Sequence, residues 1–361
     1  MNLRIGAFGR QESASAVWIA SFASGCFAFD PYAQFSDGNL AVFSHAAAAA
    51  LSLLLFALLV RGVRRRGGYD LSLRIASAWG SVPIAAALST FLLLSAVVPL
   101  RQFALTMTRE VFSDAKRETV CLYLLPCLTL LAARGAETLV RTSRILLPAL
   151  MLSILAALAI GAKEYRIFRL FPIPTGKPLK LLSETLTALP RTFAPLLALL
   201  CIGEGTQNAH ALKSAGVIGA AGGAAAVIGM LFGLSLSFSY GMLKGMSSPF
   251  CRMLVEARTE NPTMRIDRAA LFLWMAAAIL AAALYLYAAG VLFCRACRVG
   301  DVRPVACAMC AIAIALVLLL SGSAGERVLT HWHRWGWAVV PIAVFAIALP
   351  GKEKRRCAAC A

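Results

Sequence analysis

Cysteine supplies the most conspicuous candidate chemistry in this chain. Cys294 and Cys297 are three residues apart, as are Cys307 and Cys310, and a nine-residue loop separates the two pairs. Paired C-x-x-C motifs can hold zinc as four thiolates, but ribbons of that kind usually carry an insert of about fifteen residues or more. Cysteines at i and i+3 of an apolar helix also serve as plain packing residues, and a cytoplasmic position argues against stable disulfides. No metal site is therefore expected, with Cys294, Cys297, Cys307 and Cys310 the one quartet that could form it. A third pair, Cys357 and Cys360, lies at the end of the chain.

Charge provides the other constellations. Glu137 and Arg141 are four residues apart, so on a helix they share a face and can pair, with Arg144 nearby. An exposed pair of this kind is worth less than about 1 kcal/mol, so its expected role is to hold a conformation or a partner. Asp267 stands between Arg265 and Arg268 at the mouth of a long apolar run. It either marks a helix end with its two arginines or caps the positively polarised helix N-terminus. In the second case it would tie the preceding segment, residues 249–256, to the rest of the protein as an outer gate. His45 is a packing histidine or a proton carrier. His331 and His333 are two apart, do not share a helix face, and fit an aromatic girdle with Trp332, Trp335 and Trp337. The sequence has no Walker loop, no His-Glu-x-x-His and no Gly-x-Ser-x-Gly elbow. An enzyme is not expected, and neither catalytic residues nor a cofactor are assigned.

The elements that position these residues follow from composition. Of 361 residues, 60% are hydrophobic and 14% charged, whereas an ordinary soluble domain carries about 25% charge. The excess apolar surface must face lipid, so the chain is an all-α integral membrane protein. Its net charge of +18 comes from Arg and Lys in short loops between apolar runs, the pattern of topology and lipid-headgroup contact and not of nucleic-acid binding. After Arg268 no charge appears until Arg295, long enough to cross a hydrocarbon core of about 30 Å as a helix. Counting similar runs gives about ten spans in a single transmembrane domain, residues 1–361. Residues 1–12 form a cytoplasmic leader and residues 351–361 a basic cytoplasmic tail. The run Arg61 to Arg66 after the second span, opposite a loop with Asp30 and Asp37, puts both termini in the cytoplasm.

Two spans combine interruptions with small or polar residues. The first holds Ser24-Gly25-Cys26, and the sixth holds Pro190-Arg191-Thr192-Phe193-Ala194-Pro195, where a helix is expected to break. Freed backbone groups within a membrane are tolerated where they line a cavity. Ser24, Gly25 and Cys26, with Thr192 and Phe193 opposite, are thus the expected lining of a central ligand site.

Two stretches carry a family resemblance. Pro249-Phe250 leads into Arg265-Ile266-Asp267 and a Trp274-bearing helix, and Gly135-x-Glu137-x-x-x-Arg141 is followed by Pro148. In that order and at that distance the chain resembles the B-subunit family of bacterial spore germinant receptors. The resemblance implies the amino acid–polyamine–organocation transporter fold, an inverted five-plus-five repeat with helices 1 and 6 broken. Half-helix N-termini would then face an anionic group of a small molecule at mid-membrane. It further implies a nutrient germinant as ligand, an A subunit and a lipoprotein C subunit as partners, and the spore inner membrane as location. Where the family carries a Gly/acidic break in the sixth span, this chain has prolines. Two other functions share the fold: a secondary amino-acid or ion transporter, and a structural membrane anchor of a receptor complex.

Overall fold

The computed structural model describes residues 6–29, 35, 39–65, 70–76, 81–111, 116–171, 178–206, 208–246, 248–256, 266–320, 328, 332 and 334–348. Among them ten helices build the bundle: α1 (Arg10–Phe27), α2 (Ala41–Arg65), α3 (Ser81–Thr106), α4 (Arg117–Arg134), α5 (Ala136–Gly161), α6 (Pro178–Cys201), α7 (Ala209–Ser237), α8 (Ile266–Cys297), α9 (Val302–Leu319) and α10 (Val339–Ala348). Short helices over Leu71–Ala76, Tyr240–Gly245 and Pro249–Glu256 connect them. Six helices, namely α2, α3, α5, α7, α8 and α9, are long and apolar enough to cross a membrane on length and composition alone.

Two of the remaining four are polar for a structural reason. In α1 every residue from Val17 to Phe27 is buried, and in α6 every residue from Ala188 to Cys201. A helix wrapped on all sides by other helices need not be apolar on any one face, since none of it meets lipid. Ser21 and Ser24 in α1, and Arg191 and Thr192 in α6, occupy these wrapped positions. Neighbouring helices meet them with hydrogen bonds: Ser24 Oγ lies 2.6 Å from Tyr285 Oη of α8, and Ser52 Oγ of α2 lies 2.7 Å from Thr192 Oγ1. Similar ties join α3 to α8 (Ser89 Oγ to the Ala289 carbonyl, 3.1 Å) and α8 to α5 (Trp274 Nε1 to Ser153 Oγ, 3.0 Å). Each is worth roughly 0.6 kcal/mol in a membrane bundle, so they fix register while packing supplies most of the stability.

The helix pairing contains an internal repeat. The most extensive contacts join α1 to α7, α3 to α8, α2 to α6 and α4 to α9. Exchanging each helix of the first five with its counterpart in the second five turns α1–α7 into α6–α2. The same exchange returns α3–α8 and α4–α9 to themselves and swaps α3–α9 with α8–α4, two further contacts of the bundle. Five crossings reverse the chain direction, so the two halves are inverted. The start of α1 accordingly meets the end of α6, where the Phe8 amide donates to the Gly205 carbonyl at 2.9 Å. This is the basic end, which also carries Arg64 and Arg65 of α2. At the opposite end, Asn39 Nδ2 donates to the carbonyls of Arg169 and Leu170 at 3.0 and 2.8 Å.

The interruptions fall later in the chain than the sequence suggests. Helix α1 runs through Ser24-Gly25-Cys26 and ends at Phe27, with Ala28 leaving helical geometry. In α6 the prolines at 190 and 195 sit inside one continuous helix, which gives way only at Ile202, before a 3-10 turn over Gly203–Gly205. The expected split of the sixth span between Pro190 and Pro195 is thus corrected. Pro190 is tolerated because its ring fills packed space: a Cβ added at Gly336 would meet Pro190 Cγ at 2.7 Å.

Candidate functional site

Where α1 ends, its last residues face a cleft bordered by Gln102 and Thr106 of α3, Trp274 of α8 and the segment entering helix Pro249–Glu256. Cys26, Phe27 and Phe29 line it from the α1 side. Phe29 meets Phe250 edge to face, with centroids 5.5 Å apart and planes at 77°, and the Arg191 guanidinium lies 5.2 Å from the centre of the Phe29 ring. Across the cleft, Gln102 Nε2 donates to Ser248 Oγ at 2.9 Å, and Thr106 Oγ1 is 3.0 Å from the same oxygen. Ser248 therefore ties the Phe250 segment to α3. The cleft joins aromatic walls with neutral hydrogen-bonding groups, a set that suits a small molecule with an apolar body and polar ends; Arg191 stacks on the Phe29 ring without lining the cleft itself.

Of the five residues expected to line one cavity, Cys26 lines this cleft. Ser24 is engaged with Tyr285, whose hydroxyl donates on to the Ala20 carbonyl at 3.3 Å. Gly25 faces α7, where an added Cβ would meet Val227 Cγ2 at 2.4 Å. Thr192 lines a second cavity with Ser21, His45 and Ser52, and Phe193 is fully buried in the core. The five are thus divided between two cavities and the packing around them. Arg191, one residue from Thr192, belongs to the proline motif of α6. A charge inside an apolar run is itself a functional signal, and Arg191 is only 4% exposed.

At the basic end lies a polar cluster that sequence reasoning missed altogether. Arg295, near the end of α8, pairs with Asp70 at 2.9 Å and with Glu204, which follows α6. Asp70 Oδ1 also accepts from the Ser72 amide at 2.8 Å and the Leu73 amide at 3.2 Å, while its Oδ2 accepts from the Glu204 amide at 2.8 Å. Asp70 and Arg295 are buried, and the cluster joins three separate parts of the chain. Only the contrast between acidic Asp70 and its basic surroundings hinted at it, since Arg295 reads simply as the end of a span.

The other expected residues are placed as follows. Glu137 and Arg141 pair at 2.6 Å with side chains 38% and 59% exposed. Gly6, at φ +84°, packs so closely that an added Cβ would meet Glu137 Oε2 at 2.7 Å, so the pair abuts the segment leading into α1. Asp267 lies in the first turn of α8; its side chain and Arg265 are outside the described residues. Cys294 and Cys310 are buried and Cys297 is exposed. Among the described residues no group of three or more His, Cys, Asp or Glu side chains is placed to hold a metal, so the cysteine quartet does not gather into one. His331, His333, Cys357 and Cys360 lie outside the described residues.

Comparison with known proteins agrees with this architecture. The chain superposes on a Na+-coupled sialic acid symporter, solved substrate-bound and outward-open, with TM-score 0.70 at 12% identity over 95% of this chain and 79% of the symporter. It superposes equally on a nucleobase-cation-symport-1 family transporter in a closed conformation with bromovinylhydantoin bound, at TM-score 0.70 and 13% identity over 96% and 80% of the two chains. At that identity the likeness concerns the fold, the inverted five-plus-five architecture of amino acid–polyamine–organocation transporters. No curated protein matches the sequence. The family profile described as spore germination protein, the spore permeases, matches residues 32–324, and with an all-helical, membrane-spanning, permease-like bundle behind that match, the chain belongs to the spore germination protein family.

Proposed function

We propose that this integral membrane protein is the B subunit of a nutrient germinant receptor, and that it binds a small germinant such as an amino acid at the cleft beneath Phe29 and Phe250, which in this closed form has room for about one water molecule and opens by movement of the Phe250 segment. The observation that carries the reading is the aromatic-walled cleft at the end of α1, with the buried Arg191 guanidinium stacked on its Phe29 wall, where a turn of Phe29 would bring it to the ligand. Arginine presents a planar fork that matches a carboxylate in two places at once. In this reading the protein lies in the spore inner membrane with both termini in the cytoplasm, beside an A subunit and a lipoprotein C subunit. Ligand binding is passed to those partners, and the Glu137–Arg141 pair is a candidate contact.

The test replaces Arg191 by Lys, which keeps the charge but loses the fork. Spores carrying the variant at normal abundance should need at least about tenfold more germinant. An unchanged dose–response would remove Arg191 and its cleft from the site. A second reading, transport, is favoured by the presence of closing contacts at both ends of the bundle, Ser248 and Phe250 at one and Arg295 at the other. Proteoliposomes separate the two: a receptor subunit binds without appreciable flux, whereas a transporter accumulates its substrate.

A further inference from the structure

Helix α1 has one end at the germinant cleft and the other at the basic end, where residues 6–9 extend it. The extension is fixed to the helix: the Gly9 amide donates to Glu12 Oε2 at 2.8 Å, and Ser13 Oγ donates to the Gly9 carbonyl at 2.9 Å. On the far side of Gly9 the chain crosses to the turn that follows α6. Phe8 pairs with Thr206 as an isolated parallel β-bridge, and its amide donates to the Gly205 carbonyl at 2.9 Å. Phe8 is 3% exposed, whereas Gly6 and Ala7 beside it are exposed. The ring lies flat on the Gly205 backbone, so closely that a Cβ added to Gly205 would collide with the ring edge and stand 2.9 Å from the Gly6 carbonyl oxygen. One buried side chain and one bridging hydrogen bond thus hold this segment down, a seat firm enough to be occupied and light enough to be left.

The seat sits between two features of the basic end. Beneath it, the turn Gly203–Gly205 belongs to the ion cluster, since the Glu204 amide donates to Asp70 Oδ2 at 2.8 Å and the Glu204 carboxylate pairs with Arg295. Beside it, Gly6 turns at φ +84°, a conformation that favours glycine, and abuts the part-exposed Glu137. Between seat and cleft, α1 is one unbroken helix of 18 residues, about 27 Å long. A helix without a hinge moves as a unit, so a displacement at Phe27 reaches Gly9 without being absorbed on the way. We propose that residues 6–9 are a reporting strap: Phe8 is seated on the Gly203–Gly205 turn while the cleft is closed, and lifts from it when the cleft end of α1 moves. The strap rests on the reading of that cleft as the ligand site. Once lifted, it uncovers the turn of the ion cluster and the Gly6 side of Glu137, a surface at which a partner protein can read the change.

The experiment follows hydrogen–deuterium exchange in the purified full-length protein in lipid nanodiscs, resolved to the Phe8 amide, with the amides of α8 as the internal standard. Wild type should protect the Phe8 amide. Phe8→Ala and Gly205→Ala, which empty or block the seat, should each speed its exchange at least about tenfold, whereas Phe8→Leu, which keeps an apolar side chain there, should retain most of the protection. Phe250→Ala removes the Phe29–Phe250 contact at the cleft, at the far end of α1 from the seat. It should speed exchange at Phe8 by about fivefold, the worth of one aromatic pair in an equilibrium, with α8 unchanged. If Gly205→Ala does not accumulate, Phe8→Ala and Phe8→Leu carry the comparison at the seat. A Phe8 amide that exchanges freely in wild type overturns the strap, and so does a Phe8 amide indifferent to Phe250→Ala. No germinant is added, so the result is separate from the dose–response of Arg191→Lys: a strap that answers to Phe250→Ala stands even where that dose–response is unchanged, and a silent strap fails even where it shifts.

Discussion

Arg295→Gln is the most informative change at the basic end. The wild-type guanidinium pairs with buried Asp70 at 2.9 Å and with Glu204, whose side chain is 31% exposed. Removing one partner of a buried ion pair costs about 3–5 kcal/mol, because the other charge stays desolvated. Asp70 keeps the amides of Ser72, Leu73 and Glu204, which places the expected cost at the lower end, about 3 kcal/mol. That penalty applies only while the basic end is closed, since an open end lets water reach both carboxylates. The closed state should therefore lose population by on the order of 100-fold. Cys201 reports on it: its thiol is fully buried at the end of α6, and its carbonyl lies 2.9 Å from Ser72 Oγ within the cluster. In a background with the other cysteines replaced, a soluble maleimide should label Cys201 far faster in Arg295→Gln than in the wild type, and the unfolding midpoint should fall. Glu204→Gln should lower stability by less than about 1 kcal/mol, as loss of a partly exposed pair does. Replacing Asp70 and Arg295 together by apolar residues should restore much of the loss. Equal labelling rates and equal midpoints in wild type and Arg295→Gln would refute the idea that this cluster holds the end shut.

Two further changes test the opposite half of the molecule. Gly25→Ala would set a methyl group 2.4 Å from Val227 Cγ2, so it should destabilise the fold by about 1–3 kcal/mol through overpacking. Val227→Ala should restore the unfolding midpoint; a germination defect that persists after that rescue would instead place Gly25 in the ligand site. Asp267→Asn, at the first turn of α8, should shift the germinant concentration needed for response without lowering the amount of protein in the membrane if Asp267 latches the segment before it. A normal response at normal abundance would leave Asp267 as a helix boundary and nothing more.

The spans were legible because lipid imposes a one-dimensional rule, and the apolar runs of the sequence fall on helices α2, α3, α5, α7, α8 and α9, with the helix ends displaced by a few residues. The sites were legible only in part. Proline in α6 reads as a break because sequence rules describe an isolated helix, whereas the bundle packs Pro190 against Gly336 and keeps the helix whole. Ser24 and Gly25 look like a hinge by their size, yet one is a hydrogen-bonding contact to Tyr285 and the other a close approach to α7. Small residues in membrane helices signal proximity, and which neighbour comes near is a tertiary fact. The Asp70–Glu204–Arg295 cluster draws on residues more than 200 positions apart in the chain, so no local pattern announces it. Glu137 and Arg141, by contrast, are a local pair and were placed by spacing alone.

The two ends of the bundle are closed by bonds of different strength, and that difference bears on what the molecule does. At the cleft, the Phe250 segment is held to α3 by two neutral hydrogen bonds through Ser248. Each is worth about 0.5–1.5 kcal/mol net, and the Phe29–Phe250 contact adds about 1 kcal/mol. At the basic end, three bonds between separate elements involve an ionised group: Arg295 to Asp70, Arg295 to Glu204, and the Glu204 amide to Asp70. The two bonds to buried Asp70 contribute about 1.5–3 kcal/mol each and the partly exposed Glu204 pair less than about 1 kcal/mol, so opening this end is the costlier step by roughly 2 kcal/mol. A ligand entering from the cleft meets the weaker closure first, and its binding free energy can rearrange Phe29, Phe250 and Arg191 while Arg295 still holds the far end. A transporter that turns over rapidly needs the two closures nearly balanced, because its resting cycle must cross both. Unequal closures favour a protein that registers its ligand at one face and seldom releases it at the other, which is the behaviour a receptor subunit requires. Weakening the Arg295 cluster should therefore convert binding without flux into measurable leakage of the same ligand across proteoliposomes, and a tight membrane after Arg295→Gln would break this line of reasoning.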